Sequence, residues 1–119
     1  MAKIALIESK PSRNDYVKLF NNEFDFDKYE LCSDPTVKKV LKRDCDIEID
    51  IDSYDWLILI GSESLKFFTN QNSVTEYSGR VVDDKFLPVI NPAMITFKPE
   101  AKKVWDESSS NITKYIKGE

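Results

Sequence analysis

The sequence predicts an α/β fold, a three-layer αβα domain on a small, mostly parallel sheet. Three observations carry this expectation. Short apolar runs recur at residues 3–7 (KIALI), 56–60 (WLILI) and 86–90 (FLPVI), as strands buried on both faces require. Two of these runs end in residues suited to a sharp turn, Gly61 and then Asn91-Pro92. Helical patterns follow, and strands alternating with helices give a parallel sheet covered by helices. At 119 residues the chain fits a single domain, 1–119, with enough length for a proper core.

Taken in order, residues 3–7 form the first strand. Ser12 and Asp15 then have the S-x-x-D spacing of a capping box, for a helix through Tyr16, Val17, Leu19 and Phe20. Residues 27–32 (DKYELC) read as a second strand. Asp34-Pro35 gives an N-cap with proline at the first helical position, and Val37, Val40 and Leu41 follow at helical spacing. Residues 45–52 (CDIEIDID) alternate strictly between isoleucine and acid, which predicts a half-buried edge strand or extended connection with an acidic outer face. Trp56–Ile60 is the most buried strand, with Gly61 turning the chain, Ser62 as a helix cap, and Leu65 and Phe68 facing inward. Residues 70–73 make a polar loop. Residues 79–82 and 86–90 read as strands around an Asp83-Asp84 turn. Pro99 opens a last helix with Ala101, Val104, Trp105, Ser108, Ile112, Tyr115 and Ile116 on one face and Gly118 as its stop.

Composition removes several functions. There is no histidine, which excludes His-based triads and His-ligated zinc. Cys32 and Cys45 stand thirteen positions apart without a CxxC, so they read as two small buried thiols in a reducing compartment. In the acidic alternation, isoleucines occupy the positions between the acids and a calcium loop's turn glycine is missing. Neither a metal nor a cofactor is therefore expected. The longest apolar run, Trp56–Ile60, is too short to span a bilayer, and the N-terminus lacks the apolar segment of a signal peptide. A cytoplasmic protein without a membrane partner is the expectation. Net charge is −4 but uneven: residues 21–55 hold eleven acids against five bases, leaving +2 for the rest. Tight autonomous binding of duplex DNA normally needs a strong basic excess, which is absent.

In an open α/β sheet, ligands bind at the carboxyl ends of the strands. Three loops are expected to meet there: 8–11, 61–64 and 91–94. Backbone N–H groups at the helix start after Gly61 make a modest anion or base-edge site. GSES is neither a phosphate loop nor a nucleophile elbow, and no base is available to activate Ser62. Glu8 and Glu63 are isolated candidates for acid–base work, each read as a surface carboxylate beside a capped helix. Lys10, Arg13, Arg80 and Lys98, with Tyr77 and Phe97 nearby, read first as solvated cations and core aromatics; the alternative is a set that holds a short single strand by phosphate contact and stacking.

The segments GSESLKFF, YSGRVV and INPAMITFKP together resemble the later part of the uracil-DNA glycosylase superfamily. There, an apolar strand ends in a Gly-Ala/Ser-x-Ala-Leu helix start, a glycine-containing segment follows, and a His-Pro-[Ser/Ala] motif precedes a terminal helix. Over nearly its whole length, including IALIESKPSRNDYVKLF and FKPEAKKVW, the chain more closely resembles the domain at the N-terminus of certain tailed-phage family A DNA polymerases. That resemblance implies a uracil-glycosylase-like fold. It also shows departures at the functional positions. The superfamily's Gly-rich first motif is here Glu8-Ser9-Lys10-Pro11, without glycine; its base-reading asparagine is replaced by Cys32 or Ser33; and the histidine of its second motif is Asn91.

The resemblance therefore implies a glycosylase fold used without its chemistry: a non-catalytic accessory domain of phage DNA replication. The chain would be either the N-terminal piece of a DNA polymerase or a stand-alone relative. Its expected partners are single-stranded DNA, held weakly, and a replication or host protein. The implied contact residues are Ser9, Lys10, Pro11, Gly61, Ser62, Arg80, Asn91, Pro92 and Lys98. Two alternatives remain at this level. One is a divergent glycosylase using Glu8 for water and Asn91 at the base; the other is an interaction module that binds a host factor through the acidic face at 44–55.

Overall fold

The computed structural model describes residues 3–8, 15–31, 49–71 and 74–118. Its strands are β1 (Ile4–Glu8), β2 (Asp27–Glu30), β3 (Trp56–Ile60) and β4 (Phe86–Val89). Its helices are α1 (Tyr16–Leu19), α2 (Gly61–Thr69), α3 (Val74–Tyr77), α4 (Met94–Phe97) and α5 (Ala101–Lys117), with a 3₁₀ turn at Ile51–Ser53. The strands lie in the order β2-β1-β3-β4, every neighbouring pair parallel. This is the α/β sandwich the alternation of strands and helices predicts.

Register and side-chain alternation assign the two faces. Leu57 is opposite Phe86, so both point to the same side, and Phe86 packs on Phe68 of α2 with ring centres 5.7 Å apart. Trp56 points the other way and meets Tyr115 of α5 at 6.3 Å. Phe20, just past α1, stacks against Trp105 of α5 at 5.4 Å. Helices α1 and α5 thus cover one face and α2 the other. Because both faces are covered, β1 and β4 are buried throughout and β3 at every position after Trp56. Each fully buried Leu or Ile of these strands contributes on the order of 1.5–3 kcal/mol.

The β4 edge is closed by its own chain. Asp83 and Asp84 both take the left-handed conformation, with φ of 52° and 61°, turning the chain so that Val82 bridges Phe86. Gly79 N–H then donates to the Pro88 carbonyl at 2.9 Å. Pro88 can sit in this strand because its nitrogen faces that edge, where β3 asks for no hydrogen bond. At the opposite, amino edge of the sheet, Tyr54 is buried and donates to Asp27 Oδ2 at 2.9 Å. Burial, with hydrogen bonds to Tyr29 and Asp27, pushes its phenol well above the ordinary tyrosine range.

Several expectations need correction. Asp15, not Ser12, is the N-cap of α1: its side chain accepts from Lys18 N–H at 3.2 Å. Ser12 lies outside the described residues, as do the expected helix after Asp34-Pro35 and residues 45–48 of the acidic alternation. The described end of that alternation is no strand. Asp50 instead caps the 3₁₀ turn through Asp52 N–H, while Ile49 and Ile51 pack partly buried on the core. Residues 79–82 pair at Val82 alone rather than forming a strand. Ser62 makes no cap; α2 starts directly at Gly61. The inner face of α5 is as expected at Ala101, Trp105, Ser108 and Ile112, but Tyr115 is 42% exposed.

Gly79 is where the β4 edge meets α5. A Cβ there would lie 2.8 Å from Ser108 Cα, and φ is +79°. Beside it, Ser78 Oγ and Ser108 Oγ are hydrogen-bonded at 2.6 Å, and Ile90 N–H donates to Ser78 Oγ. Gly118 has a similar φ, +73°, with nothing within 4 Å of where a Cβ would stand. Gly118→Ala should therefore lose only the cost of a left-handed backbone, about 1–2 kcal/mol. Gly79→Ala adds a backbone clash and should lose about 2–5 kcal/mol. Urea denaturation of the two variants checks this; equal losses would contradict the close approach.

Candidate functional site

The strand order makes the site. From β1 the chain leaves toward β2, and from β3 toward β4, so the two connections diverge between the neighbouring carboxyl ends of β1 and β3. Such a switch point leaves a crevice in open α/β sheets. Glu8 ends β1 there, and Gly61 follows β3.

Glu8 is not the surface carboxylate expected. It is 1% exposed, and Tyr16 Oη donates to its Oε2 at 2.9 Å. Lys28 Nζ lies 2.9 Å from its Oε1 and 5.6 Å from the centre of the Tyr16 ring. Register explains the trio. Leu6 is opposite Lys28, and alternation puts Glu8 and Lys28 on the face that α1 covers with Tyr16. A buried carboxylate needs such partners to remain in place. Nothing in the sequence separates Tyr16 and Lys28 from ordinary core and surface residues, because their meeting depends on the pairing of β1 with β2.

Gly61 has φ +85°, and a Cβ there would lie 3.5 Å from Glu63 Oε2 and 3.8 Å from Asn91 Cβ. The loops at 61–64 and 91–94 therefore do meet, as expected. Between them is a cavity of about 270 Å³ whose lining includes Gly61, Ser62, Glu63, Asn91, Met94 and Phe97. Asn91 spends its side-chain oxygen locally, accepting from Ala93 N–H at 2.9 Å, while its carbonyl accepts from Met94 N–H. This Asx turn starts α4. Its Nδ2 is left as the group that donates. Pro92, within the turn, is buried. Ser62 is exposed, its Oγ 3.4 Å from Glu63 Oε2, at the long limit of a hydrogen bond.

A second cavity of about 160 Å³ shares Met94 with the first and is lined also by Lys98 and Val104. Phe97 is 83% exposed at the rim of the larger cavity. Arg80 is exposed in the turn after α3 and lines neither cavity. Ser9, Lys10 and Pro11 lie outside the described residues, as do Arg13, Cys32 and Ser33. Glu8 does not line the larger cavity. The cavity thus presents one carboxylate, one amide donor and apolar walls, without a paired acid and base. Among the described residues no group of three or more Cys, Asp or Glu side chains could hold a metal ion, and no described helix is long and apolar enough to cross a membrane.

No family model matches the sequence, and no solved structure matches it. Among curated proteins, 98% of this chain aligns with the DNA polymerase of Escherichia phage T5 at 29% identity over 128 residues. The alignment spans 15% of that polymerase's length. The chain is therefore similar to a segment of a phage DNA polymerase, on a three-layer α/β scaffold.

The Glu8 cluster generates a stability prediction. Glu8→Ala would leave the Tyr16 hydroxyl buried without this acceptor and Lys28 without its counter-charge. Lys28 can turn to water, so the expected loss is about 2–3 kcal/mol, measured by urea denaturation, with about 1 kcal/mol for Tyr16→Phe. A Glu8→Ala protein as stable as the parent would mean that the trio does not hold the strand end.

Proposed function

We propose that this chain is a non-catalytic accessory domain of a phage DNA-replication polymerase, on a uracil-glycosylase-like scaffold. It acts in the host cytoplasm by weakly engaging single-stranded DNA near the polymerase. The observation that carries this reading is the alignment of 98% of the chain with one segment of the phage T5 polymerase. A match that fills the chain but only 15% of the relative is what a polymerase-associated domain gives. The positions where the superfamily keeps its chemistry support the non-catalytic half: Glu8 is held by Tyr16 and Lys28, and the Asn91 oxygen is engaged by Ala93.

Single-strand binding is supported by the contents of the carboxyl edge. An exposed aromatic ring, Phe97 at the end of α4, stands beside a cavity, with the exposed Lys98 next in the chain. Stacking plus a few phosphate contacts is the chemistry of sequence-tolerant single-strand binding. The net charge of −4 keeps such binding weak and reserves tight binding for the parent polymerase. A replication or host protein remains a further partner of this reading, since Asp50 and Asp52 expose the described end of the acidic face.

Fluorescence anisotropy with short single-stranded DNA tests the proposal. Binding should be micromolar, with log affinity falling against log salt at a slope of about −1 to −2, the release expected from two or so phosphate contacts. Lys98→Gln should flatten that slope by about 0.7. Single-stranded DNA with uracil in place of thymine should bind alike and release no uracil at high protein concentration. Absent or salt-independent binding removes the DNA role. Uracil release that Asn91→Ala abolishes would establish the glycosylase alternative instead.

A further inference from the structure

The amino edge of the sheet carries an aromatic pair that the core does not fully cover. Trp56 at the start of β3 is partly exposed, and Tyr115 of α5, 42% exposed, stands 6.3 Å from it. Register shows what surrounds the pair. Ala5 is opposite Asp27 on one side and Leu57 on the other, and Leu57 is opposite Phe86. Two residues before each of these stand Lys3, Asp25, Asp55 and Asp84, so one row crosses the approaches to all four strands. Strand spacing makes that row about 14 Å long, the reach of about four extended residues.

The lysines at this edge do not neutralise the row. Lys3 Nζ lies over the Tyr54 ring, 4.9 Å from its centre, Lys85 Nζ donates to the Ile51 carbonyl at 2.7 Å, and Lys117 pairs with Glu23. Asp55 accepts a backbone N–H, that of Lys3, at 2.7 Å. Asp25, Asp55 and Asp84, with Asp52 and Asp83 beside them, are exposed and make no ion pair among the described residues. Lys114, next to Tyr115, is the one further cation on this end of α5. Such an edge repels nucleic acid and a second copy of itself. It fits a cation that also stacks on aromatic rings, which is arginine. A planar guanidinium lies on Trp and Tyr faces and forks onto carboxylates, where a lysine ammonium makes only a point contact. Aromatic residues are also frequent anchors at the centre of protein interfaces.

We propose that the amino edge docks an arginine-rich segment of another protein. One arginine stacks on the Trp56–Tyr115 pair, and its neighbours meet the aspartates of the row. This gives a chemistry to the protein partner proposed above; it rests on that part of the reading alone and not on single-strand binding at the carboxyl edge. The domain then has two working edges of opposite character, so DNA and the protein are held at the same time.

Amide chemical-shift titrations at low salt with two end-capped octapeptides, alternating arginine–glycine and alternating lysine–glycine, test this. The peptides carry equal charge, so only stacking and forked contacts separate them. The arginine peptide should bind about two- to five-fold more tightly, with shifts at Asp25, Asp55, Trp56, Asp84 and Tyr115. Tyr115→Ala should remove that preference. Its side chain is 42% exposed, so this variant should keep its fold, and circular dichroism checks it. Asp25→Asn combined with Asp84→Asn should weaken both peptides by about two-fold or more while the preference persists. Asparagine suits the left-handed backbone of position 84. Equal affinity for the two peptides, unchanged by Tyr115→Ala, overturns the inference. So do shifts gathered at the carboxyl edge, or no binding of either peptide, and each leaves the single-strand role to be decided by the DNA titration alone.

Discussion

Strands β1 and β3 lie side by side with helices over both faces, and every residue in them but Trp56 is buried. Every backbone N–H and C=O in them must find a partner on a neighbouring strand. They find one by pairing with each other and, outward, with β2 and β4, all parallel. Parallel pairing sends each carboxyl end to one edge, and the order β2-β1-β3-β4 makes the connections part company between β1 and β3. Glu8, Gly61 and Asn91 are brought to one edge for this reason rather than by any attraction among them.

Two kinds of site then sit on the same edge. At the end of β1, a carboxylate is buried and tied down by a hydroxyl and an ammonium, an arrangement that holds the strand end in place. Between Gly61 and Phe97, a small cavity open to solvent is lined by Glu63, Asn91 and Phe97 among others. The first is built like a core and the second is an open, partly apolar hollow. The sheet that positions this edge does not depend on which side chains line it.

Much of the architecture was legible because it rests on local rules. The run Trp56–Ile60 forms a strand with those same ends, the Asp83-Asp84 turn is where the chain reverses, and Gly118 stops the last helix in a left-handed conformation. What was not legible depends on distant partners. Residues 79–82 look like a strand, yet Gly79 is held against Ser108 of α5 and only Val82 pairs. The isoleucine–acid alternation reports one-sided burial, and a 3₁₀ turn capped by Asp50 satisfies that as well as a strand would. Glu8 looked exposed because its partners stand on β2 and α1, and only the register brings them together. Glu63 and Phe97 were visible as residue types, but their shared cavity depends on how α4 follows the Asn91 turn.

The central claim is that the carboxyl edge between Gly61 and Lys98 is the part of this domain that meets single-stranded DNA. Backbone amide chemical shifts followed during titration with a short single-stranded oligonucleotide test it most directly. The expected shifts gather at residues 61–63 and 91–98, with Tyr54, Asp27 and the amino edge unmoved. Shifts gathered at the amino edge, or none at saturating oligonucleotide, would contradict the claim.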